Sequence, residues 1–243
     1  MLLGTVAFPV FVAVSAVLGV RLLGLASRTR RLPELAIGVN FVLAGGIGYS
    51  LLIAAESLRV MGSYAGLGSF AGVTAISIGA CLIALFTQAV FRPDNDTAIA
   101  AVVALACWLV LGVAGSWSLH VVGATEGVGA WLGRWAPNVG MLLTYAWASA
   151  EPLRYSAMMR RRARHGFGNP LVENRMLLWG VGTAALAGVA LLHLVAQLFG
   201  HYELPESLVG VVSSLVLVTA ITEWLAFFPP GVYRRRFGAA AAS

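Results

Sequence analysis

The residues of this chain that could do chemistry are polar and ionisable side chains set inside long apolar runs. Glu223 lies six residues before Pro229, Asn40 seven residues after Pro33, and Arg21 six residues before Ser27. At a helical rise of about 1.5 Å per residue, each sits about 9–10 Å inside the same boundary of its run. Glu151 falls at a similar depth, with Arg154 one turn further on, and Gln88 is slightly shallower. Ionisable groups at depth in hydrocarbon are costly, and they mark proton relays, ion pathways or ion-pair locks. The spacing therefore predicts one polar layer, drawn from five helices, as a pocket or ionic lock opening toward the cytoplasm. The structural alternative is that the arginines snorkel to the interface and the carboxylates merely pair with them.

Glu223 has no arginine one turn away on its own run. It must either pair across helices or stay protonated. The expectation is a lock with Arg21 or Arg154. Glu151 and Arg154 are three residues apart and should meet on one helix face. Glu151 also precedes Pro152, whose ring nitrogen cannot donate to the carbonyl of Ala148. A freed carbonyl near a carboxylate is one way to build a site in a membrane helix. Thr144, Glu151 and Tyr155 share that face by spacing.

The opposite half of the chain's apolar layer carries His193, with Gln197 one turn on, and His120 closing another run. Two histidines can hold a haem between helices. These two differ in expected depth, so no cofactor is assigned. No nucleophile–base pair or metal-ligand set stands out, and an enzyme is not expected. The chain has no lysine, so a retinal Schiff base is excluded.

Such residues need rigid elements to hold them. Hydrophobic residues make up 59% of the 243 positions and charged residues 11%. A soluble domain carries roughly a quarter charged residues, so most of this surface meets something other than water. The runs are continuous, not alternating, which selects helices over a barrel. They fall at about Leu2–Ala26, Leu35–Ala55, Leu67–Phe91, Thr97–Val122, Trp135–Met159, Leu171–Phe199 and Leu208–Phe228. The expected fold is all-α: a seven-transmembrane bundle over residues 1–229, then a basic tail over 230–243. The first run is long for a signal peptide and reads as a span. Cys81 and Cys107 lie inside runs and read as small packed residues.

The arginines alternate sides. Arg28, Arg30, Arg31, Arg92, Arg160, Arg161, Arg162, Arg164, Arg234, Arg235 and Arg236 fall in connections on one side, and only Arg59 and Arg134 on the other. In short loops this bias puts the N-terminus outside and the C-terminus in the cytoplasm. The net charge of +6 is thus an orientation signal and a contact for anionic lipids, not for nucleic acid. Localisation is expected in a plasma membrane, the inner membrane of a bacterium.

Small residues at four-residue spacing, Gly180, Ala184 and Gly188, and Gly68 and Gly72, suit close helix approach. Asn169 and Pro170 read as an N-cap and first position, with Glu173 complementing the dipole. The stretch Pro229-Pro230-Gly231-Val232-Tyr233 before Arg234 resembles the end of helix seven in G-protein-coupled receptors. That family's asparagine, its acidic–arginine pair at the end of helix three and its outer disulfide are missing, so the resemblance implies shared topology alone.

The leading functional expectation is a receptor-like or sensory module that signals by helix rearrangement to a cytoplasmic or membrane partner. The alternatives are a small transporter or proton-linked channel using Glu151 and Glu223, and a non-catalytic subunit of a membrane complex.

Overall fold

A computed structural model describes residues 2–58, 64–165, 167, 169–201, 204–229 and 231, with side chains from residue 6 onward. Arg59, Glu203, Tyr233, Arg234, Arg235, Arg236 and the basic tail lie outside the described residues.

Seven helical rods, and no strand, form among the described residues. They are α1 (Leu2–Thr29), α2 (Leu32–Leu58), α3 (Tyr64–Phe91), α4 (Asp96–His120), α5 (Gly127–Ala163), α6 (Pro170–Leu198) and α7 (Glu206–Phe227). All but α5 are long and apolar enough to cross a membrane. The expected fifth span falls short because Pro137, Asn138, Thr144, Ser149 and Glu151 dilute its apolar residues. The reason is its position: α5 packs against α3, α4 and α6, so much of it faces protein.

Consecutive helices are neighbours, and α7 returns to pack on α1, closing a ring. Large aliphatics such as Val20, Val103, Val110 and Ile221 point outward and are exposed. Serine, threonine, alanine and glycine fill the contacts between helices. This inversion of the soluble pattern is what contact with a bilayer requires, because hydrocarbon outside removes any gain from hiding aliphatics. The multi-pass membrane character follows from it.

Local sequence sets the helix ends. Asn169 Oδ1 accepts from the amides of Leu171 at 3.1 Å and Val172 at 3.3 Å, capping α6 as its position predicts. Asn95 caps α4 in the same way through the Ala98 amide, 2.9 Å away. Glu173 adds a bond to Arg160 Nε at 2.8 Å, which joins α6 to the end of α5.

The glycine stripe of α6 divides between partners. A side chain at Gly180 would meet Leu153 of α5, one at Gly188 would meet Leu215 of α7, and Ala184 is exposed. Gly68 and Gly72 do face one neighbour, Ala55 and Leu52 of α2.

The middle of α2 departs from α geometry. Phe41–Gly48 is a π-helical segment, in which three of eight residues are glycine. Its wider turns change which side chains share a face. Asn40 and Tyr49 are nine residues apart, which on an α-helix of about 3.6 residues per turn sets them on opposite sides. Here both line one internal cavity.

Candidate functional site

That cavity lies within the bundle, between α1, α2, α3, α5, α6 and α7, and has a volume of about 10 Å³. Its polar lining comes from Ser15, Asn40, Tyr49, Tyr145, Trp179, Thr183 and Glu223. Local features of the helices position several of them. The π segment turns Asn40 and Tyr49 inward together. Pro152 frees the carbonyl of Ala148, which accepts from Thr183 Oγ1 at 3.3 Å, so the proline holds a lining residue across the α5–α6 contact. Gly182 leaves room for Glu223, because a Cβ there would stand 3.3 Å from Glu223 Cγ. Thr219, one turn before Glu223, donates to the Gly182 carbonyl at 3.1 Å and fixes α7 against α6.

Glu223 is only 2% exposed, and its Oε2 has no hydrogen-bond partner among the described residues. Ser15 Oγ, Asn40 Oδ1 and Trp179 Nε1 line the same space and are likewise buried with no partner among the described residues. Buried polar groups in native proteins are nearly always satisfied, so four orphans around one cavity mark a place built for something else.

The expected opening toward the cytoplasm is not found: the cavity is closed toward the arginine-rich end by rings packed edge to face. Trp179 lies 6.2 Å from Phe41, 5.9 Å from Phe86 and 5.5 Å from Phe227, one turn beyond Glu223. Toward the other end there is a vestibule of about 820 Å³. That falls within the range of small-molecule sites, about 300–1,000 Å³. Glu56, His120, Arg134, His193 and Gln197 give it a polar rim, while Phe8, Leu52, Ile53 and Met141 are apolar walls. Tyr49 lines both spaces. Its ring is held edge-on to Phe11 at 5.4 Å, with Phe8 at 6.5 Å.

The expected polar layer therefore separates into parts. Asn40 and Glu223 do meet in one cavity. Glu151 does not line it. It accepts from Arg92 Nε at 3.0 Å and Arg92 Nη2 at 3.4 Å, and Arg154 Nη1 is 3.7 Å away. Gln88 does not line it either; its Nε2 donates to the carbonyls of Arg92 and Pro93, both at 3.2 Å, closing the end of α3. The lock expected of Glu223 with Arg21 or Arg154 is not formed. The Arg21 guanidinium lies 4.0 Å over the Phe228 ring, at the exposed side of α1, and Arg154 turns to Glu151. Snorkelling explains both: a long side chain carries its charge to the interface at less cost than into the bundle.

Thr144 is fully buried, and Tyr155 packs its ring 6.3 Å from Phe91, so the face expected around Glu151 is divided between packing contacts. His193 Nδ1 lies 2.9 Å from the Val189 carbonyl, and the Gln197 Oε1 is buried with no partner among the described residues. Both belong to the vestibule, as does His120 despite its different expected depth. Among the described residues no group of histidine, cysteine and carboxylate side chains is placed to hold a metal ion.

No known protein family matches this chain, and neither a curated protein nor a solved structure does. The class is therefore given by architecture alone: a multi-pass helical membrane protein with a polar cavity at its centre.

Proposed function

We propose that the chain is a seven-helix plasma-membrane protein, N-terminus outside, that works as a small proton-linked transporter with Glu223 as its proton-carrying group. The observation that carries this reading is Glu223 itself, buried with no partner among the described residues in a cavity next to a solute-sized vestibule. An ionised carboxylate with no countercharge is too costly at that depth, so the resting group is the neutral acid. A group that is neutral at rest and charged when exposed couples proton release to a change of access. The closed aromatic layer at one end and the vestibule at the other describe one of the two access states that transport needs. Arginine placement supports the outside as the side on which the vestibule opens. Exposed Arg28, Arg30, Arg31 and Arg160 at the opposite end suit anionic lipid headgroups.

A receptor-like sensory role is the second reading. It draws support from the cavity and the vestibule being separate spaces with Tyr49 at both, which suits ligand capture without passage. Proteoliposomes holding an internal pH dye separate the two. Exposed to a panel of amino acids, organic acids and amines, the wild type should show a lumenal pH change with at least one solute, and Glu223→Gln should show none. Thermal stabilisation by a solute that moves no protons in either protein favours the sensor.

A further inference from the structure

The cavity beside Glu223 can be asked what it is shaped to hold. Its volume of about 10 Å³ is at the threshold for a single water molecule. Its orphan groups define the hydrogen-bond character of the occupant. Trp179 Nε1 can only donate, so the occupant must accept. Asn40 Oδ1 accepts, so the occupant must also donate. The neutral Glu223 carboxyl keeps an acceptor oxygen, and Ser15 Oγ can serve either way. A bare cation would satisfy the oxygens and leave the indole N–H facing positive charge. One water satisfies three of the four orphans, accepting from Trp179 and donating to Asn40 and Glu223, and keeps one lone pair for a further donor such as the Tyr49 hydroxyl.

Among the described residues, the titratable groups lining the cavity are Tyr49, Tyr145 and Glu223, with no arginine or histidine. Tyr49 alone of these also lines the vestibule. The aromatic cluster of Phe41, Phe86, Trp179 and Phe227 closes the opposite side with groups that carry no exchangeable proton, the indole N–H excepted. A proton reaching Glu223 from solvent thus has a short polar route on one side only.

We propose that this cavity is a binding site for one water molecule, and that this water and the Tyr49 hydroxyl form the proton route between the vestibule and Glu223. The inference deepens the transport reading and rests on it only for the use made of the proton. The transfer balances without a further reactant. Once Glu223 has released its proton, a hydronium ion in the vestibule gives a proton to the Tyr49 oxygen, becoming water, as the hydroxyl proton passes to the cavity water. That water gives one of its own protons to the Glu223 carboxylate. The hydroxyl then rotates back, and one proton has moved from vestibule to carboxyl.

The test follows the protonated-carboxyl stretch of the purified protein in nanodiscs by infrared spectroscopy, after a switch from light to heavy water with no solute present. Glu223→Gln identifies the band. In the wild type the band should shift to its deuterated position promptly. Tyr49→Phe removes one oxygen and keeps the packing against Phe8 and Phe11, and should slow that shift by about a hundredfold, the low end of what a placed acid–base group contributes. Tyr155→Phe, which lines neither space, controls for general loosening and should exchange like the wild type. Equal rates in wild type and Tyr49→Phe overturn the route. A band that vanishes on replacing potassium by sodium overturns the water in favour of a cation. Failure of solute flux with Tyr49-dependent exchange intact would count against the transport reading alone.

Discussion

Arg92 and Glu151 are joined side on, with guanidinium Nε and Nη2 at 3.0 and 3.4 Å from the two carboxylate oxygens. The pair ties the end of α3 to the proline-bearing stretch of α5, and it outranks the within-helix pair of Glu151 with Arg154, at 3.7 Å. Geometry explains the order. A two-pronged contact from a neighbouring helix fixes both oxygens, whereas Arg154 is far more exposed than Glu151 and is screened by solvent.

A double-mutant cycle should therefore find more coupling between Glu151 and Arg92 than between Glu151 and Arg154. With the Arg92 side chain 42% exposed, the coupling expected is on the order of 1 kcal/mol. Thermal unfolding in detergent of Glu151→Gln, Arg92→Gln and both together measures it. Additive losses for the Arg92 pair and a larger coupling with Arg154 would contradict the assignment.

The α2–α3 contact behind the cavity wall should tolerate no added volume. An alanine Cβ at Gly79 would lie 2.7 Å from Ala44 Cβ and 2.9 Å from Asn40 Oδ1. Gly79→Ala should lower stability by about 1–3 kcal/mol, the usual cost of overpacking. At Gly24 nothing lies within 4 Å, so Gly24→Ala should be neutral or stabilise the helix by up to about 1 kcal/mol. Thermal unfolding of the two side by side checks the contrast, and equal effects would mean that the α2–α3 contact is looser than described.

The loss of one cap is a third outcome to measure. Asn169→Ala removes the acceptor for two amides at the start of α6 and should cost about 1 kcal/mol. Asn169→Ser should recover most of it. Hydrogen exchange at the Leu171 and Val172 amides reports the change locally; unchanged exchange in Asn169→Ala would show the cap to be dispensable.

Orientation can be read with reporters. One inserted in the α6–α7 connection after Gly200 should lie outside, and one in the α5–α6 connection near His165 should lie in the cytoplasm. The reverse would move the vestibule to the cytoplasmic side and reverse the direction of the proposed route.

Much of the fold was legible in the sequence, because length and continuous hydrophobicity are direct consequences of bilayer thickness. The exception, α5, is one where burial in protein replaces burial in lipid and hydropathy no longer reports the helix. The site was legible in half. Depth counting brought Asn40 and Glu223 to one level, since rise per residue is common to all helices. It could not give azimuth, so Gln88, Glu151 and Arg154 shared the level without sharing the cavity. Tyr49 was hidden for a sharper reason: on a regular helix it faces away from Asn40, and only the π turns bring it round. The run of glycines at Gly45, Gly46 and Gly48 was the available signal. Ser15 and Trp179 carried no signal beyond being polar-capable residues in apolar runs.

The central claim is that Glu223 is a neutral, unpaired acid at rest. Infrared spectra of wild type and Glu223→Gln in nanodiscs at neutral pH test it most directly. The account predicts a protonated-carboxyl band in the wild type that is missing from the variant. A wild-type spectrum without that band, with a carboxylate band lost in Glu223→Gln instead, would mean that the group is ionised and paired, and would contradict the proton-carrying role.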